Sequence, residues 1–428
     1  MIFLYRLLSP LLLSLLPLLA LFSPKLAATL RWRREFSSRP LPSVGNPESP
    51  GFWIHAASAG ELEQARPLIE DIRRRLPSAR ILLSLGSISA RPAKDQVEGC
   101  NHVIPLPADR PGRMRSLIQS FRPRAILIVK WDLWPHMLLE SHRAGVPVFL
   151  LGAVLSPRSG RARWPTRLLY LRLHNLLEWV DAVSEEDGQV FLDLGLPPSR
   201  LYVSGDPRFD RVLSRIQERL PHALMDVPPF EQCLLAGSTW PVEENLILDA
   251  YAAISREFPS SRLFLVPHEP TESALQRLEE AARERGFPVS RLSRSTGLEA
   301  GALLLGDVKG QLSELYSQAE IAYVGGGFTS GVHSVLEAAA QGIPLLFGPG
   351  IDRAVEARGL LEAGAAYMVC SGEDLKSHWR ELLGNRPLRN SMGNRARRFT
   401  EAGSGASQRS LEHLYHRLNL PDKSREKV

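Results

Sequence analysis

Apolar and polar positions along this chain fall into long blocks, and each block predicts an element. The first is the amino terminus, MIFLYRLLSPLLLSLLPLLALFSPKLAATLRWRREF, in which Leu7 to Phe22 are apolar except for Ser9, Pro10, Ser14 and Pro17. With Met1 to Tyr5 added, the run approaches the roughly 20 residues that span a bilayer. A cleaved signal peptide is the competing reading, because its apolar core is also short. Arg6 alone precedes the run, whereas Lys25, Arg31, Arg33 and Arg34 follow it closely. The positive-inside rule then keeps the rest of the chain on the cytoplasmic side, and Trp32 suits the interfacial belt. The expectation is a retained anchor over 1–24, with the two prolines leaving open a segment that is only partly inserted.

A basic and linker segment follows over 25–50, ending in FSSRPLPSVGNPESP. After it, unbroken apolar runs alternate with helix-like stretches: GFWIHAA, ELEQARPLIEDIRRRL, ARILLSL, then RAILIVK, PVFLLGAVL, VDAVS and LYVSGDPRFDRV. A second series begins at QCLLAGS and continues through SRLFLVPHEP, GALLLGD, IAYVGGG and IPLLFGPG. Apolar runs of this kind are strands buried on both faces, and their alternation with helices is the mark of parallel α/β sheets. Two such series predict an α/β protein of two Rossmann-like domains, 51–205 and 206–428, facing one another across a cleft. The tail is helical from about 405 and ends polar and charged.

Composition narrows the class. The 428 residues exceed one ordinary core, and 44% hydrophobic with 23% charged content describes a globular chain. Cys100, Cys233 and Cys370 lie far apart, which fits a reducing compartment and no disulfide framework. There is no Cys pair, no H-E-x-x-H and no D-x-D triplet, so neither a metal nor another cofactor is expected. The net charge of +6 favours an acidic partner: nucleic acid, anionic lipid or a phosphorylated substrate.

Candidate chemistry sits at the strand ends. In IHAASAGELEQARPLI, Glu61 follows Gly60 at the start of a helix. Acidic residues there complement the helix dipole; the alternative is a working carboxylate at the carboxyl end of a parallel strand, where open α/β sheets bind ligands. In IAYVGGGFTSGVHSVLEAAAQGIPLLFGP, a strand ends in Gly325, Gly326 and Gly327, and a helix is predicted from near Val332 to Gln341. Glycines there either bring backbone N–H groups to a phosphate or serve a tight turn, and Glu337 can accept from ribose hydroxyls. Ser238 and Thr239 end a second strand as phosphate contacts or helix caps, and His268 ends a third, in LFLVPHEP. LSPRSGRARWPTRLLYLRLHN carries Arg158, Arg161, Arg163, Arg167 and Arg172 and no acid, which reads as a site for anionic lipid or phosphate, or as ordinary amphipathic core. With an anchor present, lipid is a more economical partner than nucleic acid.

Taken in order, the anchor, HAASAGELEQARPLI, VKWDLWPHML, SGDPRFD, AGSTWPVEE, LVPHEP and VGGGFTSGVHSVLEAAAQGIPLLFGP resemble the bacterial 3-deoxy-D-manno-octulosonic acid (Kdo) transferases of lipopolysaccharide synthesis, across nearly the whole chain. The resemblance implies a GT-B fold and metal-independent transfer of Kdo from CMP-Kdo to the lipid A precursor at the inner membrane. It makes Glu61 the catalytic base. It places the donor on Ser238, Thr239, His268, Gly325 to Gly327, His333, Ser334 and Glu337, and the acceptor against Lys130, Asp132, Arg158, Arg161 and Arg163.

The chain departs from the family pattern at three points. His268-Glu269 stands where Arg-His is common, with Arg208 a candidate for the missing charge. His333-Ser334 replaces His-Asn, and Lys130-Trp131-Asp132 replaces a stretch with two acids. Two other readings keep the fold. One is a different GT-B transferase or a nucleotide-sugar 2-epimerase using a UDP-sugar; the other is a tethered nucleotide-sugar binder without catalysis.

Overall fold

The structure is a computed structural model that describes residues 2–43, 48–91, 96–157, 159–217, 232–294, 303–308, 310–329, 331–352 and 354–420. It divides into two compact units, Met1–Arg211 with Ser404–Val428, and Val212–Gly403.

The first unit is built on seven strands: β1 (Gly51–Ala56), β2 (Arg80–Leu85), β3 (His102–Pro105), β4 (Ala125–Val129), β5 (Val148–Ala153), β6 (Trp179–Ala182) and β7 (Leu201–Val203). Their order is β3-β2-β1-β4-β5-β6-β7, with every neighbouring pair parallel. The strand order reverses between β1 and β4, so a crevice opens at their carboxyl ends. Every residue of β1, β2, β4 and β5 is buried, which is why these runs are apolar without alternation. The Ala59–Arg75 helix covers one face through Leu62, Ala65, Leu68, Ile69 and Ile72, spaced at three and four residues.

The second unit repeats the plan with β8 (Cys233–Thr239), β9 (Arg262–Pro267), β10 (Val289–Arg291), β11 (Leu303–Leu305), β12 (Ile321–Val324), β13 (Leu345–Phe347) and β14 (Ala366–Met368). The order is β10-β11-β9-β8-β12-β13-β14, again all parallel, and it reverses between β8 and β12.

The boundary differs from a simple cut at 205/206, because the last helix, Ala406–Arg417, returns to the first unit. Leu411, Leu414 and Tyr415 join the core beneath the Ala59–Arg75 helix. Asp210 accepts the Gly405 and Ser407 N–H groups at 2.5 and 2.7 Å, and the Ser410 hydroxyl donates to buried Asp181.

The amino-terminal run forms a helix, Ile2–Leu19, with Pro10 and Pro17 inside it. The apolar stretch Phe3–Phe22 is long enough to cross a membrane. Tyr5, Ser9, Leu13, Leu16 and Ala20 are the less exposed positions, at helical spacing, while Phe3, Leu7, Leu11, Leu12, Leu18 and Leu19 lie exposed. Along that stripe the Tyr5 hydroxyl donates to Asp109 at 2.7 Å, and Ser9 Oγ lies 3.2 Å from His136 Nε2. Asp109 is fixed in turn by the His136 and Met137 N–H groups, both at 3.0 Å.

Candidate functional site

In the first unit, β1 delivers Glu61 to the crevice. Ser58 caps the helix by accepting the Glu61 N–H at 3.4 Å, and Glu61 Oε2 accepts the Ala57 N–H at 2.5 Å. This is a capping arrangement, S-x-x-E, with the carboxylate reaching back to the turn. Glu61 is also only 4% exposed. Burial, and then the charge of Asp132, outweigh the Ala57 N–H, Lys130 and His55, so its carboxyl is held above the ordinary glutamate range. The helix start and the buried carboxylate are one device.

β4 brings the partner group. Asp132 Oδ2 is 3.1 Å from His55 Nε2 and accepts the Trp134 indole N–H at 2.9 Å. Burial pushes the Asp132 carboxyl up, but the bond to and charge of His55, then Trp134 and Arg161, hold it below the ordinary range. His55 is fully buried on β1, with Nδ1 2.9 Å from Ser84 Oγ; that hydroxyl accepts the Trp53 indole N–H at 2.8 Å. A chain of polar groups thus runs from Ser84 through His55 to Asp132 beside Glu61. Lys130 ends β4 in the left-handed region, φ 73°, with its N–H on the Leu151 carbonyl. The Arg161 guanidinium lies 3.5 Å from the Trp131 ring centre and donates to the Tyr170 hydroxyl at 3.1 Å.

Glu61, Lys130, Asp132 and Arg161 are therefore gathered in one place. Arg163 is exposed on the following turn, and Arg158 lies outside the described residues. Sequence reasoning passed over His55, Ser84 and Trp134 as site residues. The available signal was a histidine inside an otherwise apolar strand, since a buried imidazole requires hydrogen-bond partners.

In the second unit, β8, β9 and β12 converge as expected, with an aromatic stack at their ends. The His268 and His333 rings are 4.3 Å apart and within 8° of parallel, and Trp240 stacks on His268 at 4.9 Å. Trp240 Nε1 donates to His333 Nε2 at 2.8 Å. An indole nitrogen only donates, so Nε2 carries no proton and His333 is neutral. Burial and the neighbouring His268 push His333 below the ordinary histidine range, in agreement. Ser238, φ 55°, sits where the β8–β9 register slips; Ser334 is exposed.

Three expectations need correction here. The Gly325 N–H is bonded to the Gly237 carbonyl and the Gly326 N–H to Glu243, at 2.9–3.0 Å, so these two amides are not open to a phosphate. Glycine is required instead by close packing: a Cβ on Gly325 would lie 2.3 Å from the Ser238 carbonyl oxygen, and Gly326 has φ +94°. Thr239 is buried, its hydroxyl facing Glu244 and the Val266 carbonyl at 3.4 and 3.5 Å. The predicted 332–341 helix is only Leu336–Ala340, because the Val332 and His333 N–H groups bond to the Gly350 and Gly325 carbonyls, both at 3.0 Å.

Two more candidates have partners within the protein. Glu337 pairs with Arg215 at 3.3 Å, and Arg208, in the first unit, with Asp206 at 2.6 Å. Glu243 was unread. Fully buried, it also accepts the Trp240 N–H at 3.1 Å and thereby ties the β8 end to the glycine loop. Its signal was the capping spacing W-x-x-E. Among the described residues, no three of His, Cys, Asp and Glu are grouped to hold a metal ion.

Twin parallel sheets with strand-end crevices define the fold class. Solved structures share it: a putative UDP-N-acetylglucosamine 2-epimerase from Listeria monocytogenes (TM-score 0.64, 12% identity, 87% of this chain and 97% of that one) and Acinetobacter baumannii MurG (TM-score 0.53, 16% identity, 85% and 98%). This is the GT-B architecture. Residues 30–211 match the family model described as 3-deoxy-D-manno-octulosonic-acid transferase. The Bordetella pertussis protein of that name is 30% identical over 409 residues, covering 91% of each chain. The chain belongs to the Kdo transferase family and is a glycosyltransferase.

Proposed function

We propose that the enzyme transfers Kdo from CMP-Kdo to a phosphorylated, acylated lipid A precursor, with Glu61 as base. The acceptor hydroxyl attacks the anomeric carbon and gives its proton to Glu61. The bond from that carbon to the CMP phosphate breaks, and CMP leaves with the electron pair. The observation that carries this reading is Glu61 itself: a carboxylate at the β1–β4 switch point, anchored at Ala57 and raised by burial. A raised carboxylate is a stronger proton acceptor once ionised. Ionised Asp132, held by His55 and Trp134, sustains that basicity.

His268, His333, Trp240 and Ser238 line the donor side, where the stacked rings present a face to a nucleotide and His268 an N–H donor to its phosphate. The developing charge on departing CMP falls to His268 and to side chains around it. Lys130, Asp132 and Arg161 meet the acceptor.

The Ile2–Leu19 helix is the membrane anchor. Seated along its Tyr5–Ser9–Leu16 stripe on the first unit, it lies in the interfacial plane with its leucines toward the acyl chains. Both catalytic units stand on the cytoplasmic side of the inner membrane.

The test is turnover of CMP-Kdo with a lipid A precursor by wild type, Glu61→Gln and Glu61→Ala. Kdo-lipid and CMP formed by wild type alone support the reading. Turnover of a UDP-sugar, and none of CMP-Kdo, overturns it.

A further inference from the structure

The anchor helix and the helix after it, Pro24–Ser37, do not close completely on the first unit. Between them and the start of the Pro111–Phe121 helix lies a cavity of about 310 Å³. Leu13, Leu16 and Pro17 of the anchor form its apolar wall. The lining also holds Arg33, Arg34, Arg39, Arg110 and Arg113, and no lining residue is acidic. Arg33 donates to the Gly86 carbonyl at 3.4 Å, while its Nε is buried without a hydrogen-bond partner. Arg34, Arg39, Arg110 and Arg113 have no carboxylate partner among the described residues, in contrast to Arg66 and Arg211, which both pair with Glu63.

Arg33 also feels the Asp132 carboxylate, whereas the four other guanidinium groups gather around one hollow with no carboxylate among its lining residues, an arrangement that favours an anion there. The planar fork of arginine matches phosphate oxygens two at a time. The apolar wall of Leu13, Leu16 and Pro17 suits a ligand that also carries hydrocarbon. The volume admits one headgroup and the beginning of its chains, and is small for a disaccharide bearing several acyl chains.

We propose that this cavity binds the phosphate of an anionic phospholipid of the bilayer, which locks the anchor in its in-plane seat. The inference rests on the membrane reading above and not on the identity of the donor sugar. Cavity, arginines and anchor all belong to the first unit, so the site is complete within it.

The experiment is vesicle co-sedimentation of the full chain, with phosphatidylcholine alone and with phosphatidylglycerol added. Wild type is expected to bind both, and the second more tightly. Arg110→Ala with Arg113→Ala, both exposed at the cavity rim, is expected to lose roughly thirtyfold of the phosphatidylglycerol affinity, about fivefold for each arginine. Arg386→Ala with Arg398→Ala, exposed in the other unit, is expected to lose none. Arg110→Lys with Arg113→Lys keeps the charge but not the fork, and is expected to recover only part.

Full recovery by lysine would make this a diffuse basic surface and overturn the site. So would wild-type binding that is indifferent to phosphatidylglycerol. An alanine pair that binds vesicles normally but raises KM for the lipid acceptor would assign the cavity to the acceptor, also against the proposal. Binding to neither vesicle would overturn the anchor reading as well, while leaving Kdo transfer, measured in detergent, untouched.

Discussion

Replacing Glu61 by glutamine separates the cap seen in the structure from the proposed role as base. The side chain holds the β1 turn by accepting the Ala57 N–H, and a glutamine oxygen can accept the same bond. Alanine cannot, and loss of a capping acceptor costs about 0.5–2 kcal/mol. Glu61→Gln is therefore expected to fold as stably as wild type. At pH values above the folded-state titration it gains further, because the wild type then carries a buried charge. The sign follows from the raised carboxyl: the folded state holds the Glu61 proton more tightly than the unfolded chain. Its stabilising contribution is complete below the unfolded value and is lost as pH rises through the folded one. Glutamine, which never ionises, escapes that loss. Catalysis moves the other way, since removal of a general base costs typically 10²–10⁴-fold in rate. The assay pairs thermal unfolding across pH with single-turnover release of CMP for wild type, Glu61→Gln and Glu61→Ala. A glutamine variant that is stable, binds CMP and is slowed by two to four decades supports the argument. One that keeps most of its rate would show that Glu61 is a cap only, and the base would have to lie elsewhere.

Other expectations follow from the same geometry. The rate should rise with pH through a limb above the ordinary glutamate range. Asp132→Asn should move that limb to lower pH, because it removes a charge that raises Glu61; a pH profile of kcat reads it. Glu243→Ala leaves the Gly326 amide and its neighbours without an acceptor in a buried place, and each such group costs about 1–3 kcal/mol. Denaturant unfolding should show a loss of at least that size. His268→Ala should weaken CMP binding by calorimetry more than Trp240→Phe, which keeps the ring and loses only the bond to His333. For the in-plane anchor, a cysteine at Phe3 in a background lacking Cys100, Cys233 and Cys370 should resist a membrane-impermeant maleimide added from the periplasmic side. Ready labelling there would mean the helix crosses the bilayer.

Much of this protein is written locally. Strands sealed on both faces must be apolar throughout, so β1, β2, β4, β5, β8, β9 and β12 stand out in the sequence, and the small and charged residues that end them mark the crevices. The short edge strands β3, β10 and β14 do not stand out, because three or four residues partly open to solvent leave no period to read. Glu61 and His268 were legible as strand-end residues, whereas His333 was expected on a helix that is only Leu336–Ala340. What the glycines and Glu337 do was not legible: the same Gly325 and Gly326 that look like a phosphate cradle are closed onto Gly237 and onto Glu243, 83 residues away in the chain.

The length of chain between partners separates what the sequence determined from what the fold decided. Alternation and caps depend on neighbours within a turn or two, so the sequence by itself set the two α/β series, the helix start at Glu61 and the apolar amino terminus. The His55–Asp132 pair spans 77 residues and the Tyr5–Asp109 bond 104, and the last helix returns to the unit that the chain left at Arg211. Only the order in which parallel strands pair brings such groups together. No local pattern encodes that order, because every buried strand offers its neighbours the same backbone hydrogen bonds and nearly the same apolar faces.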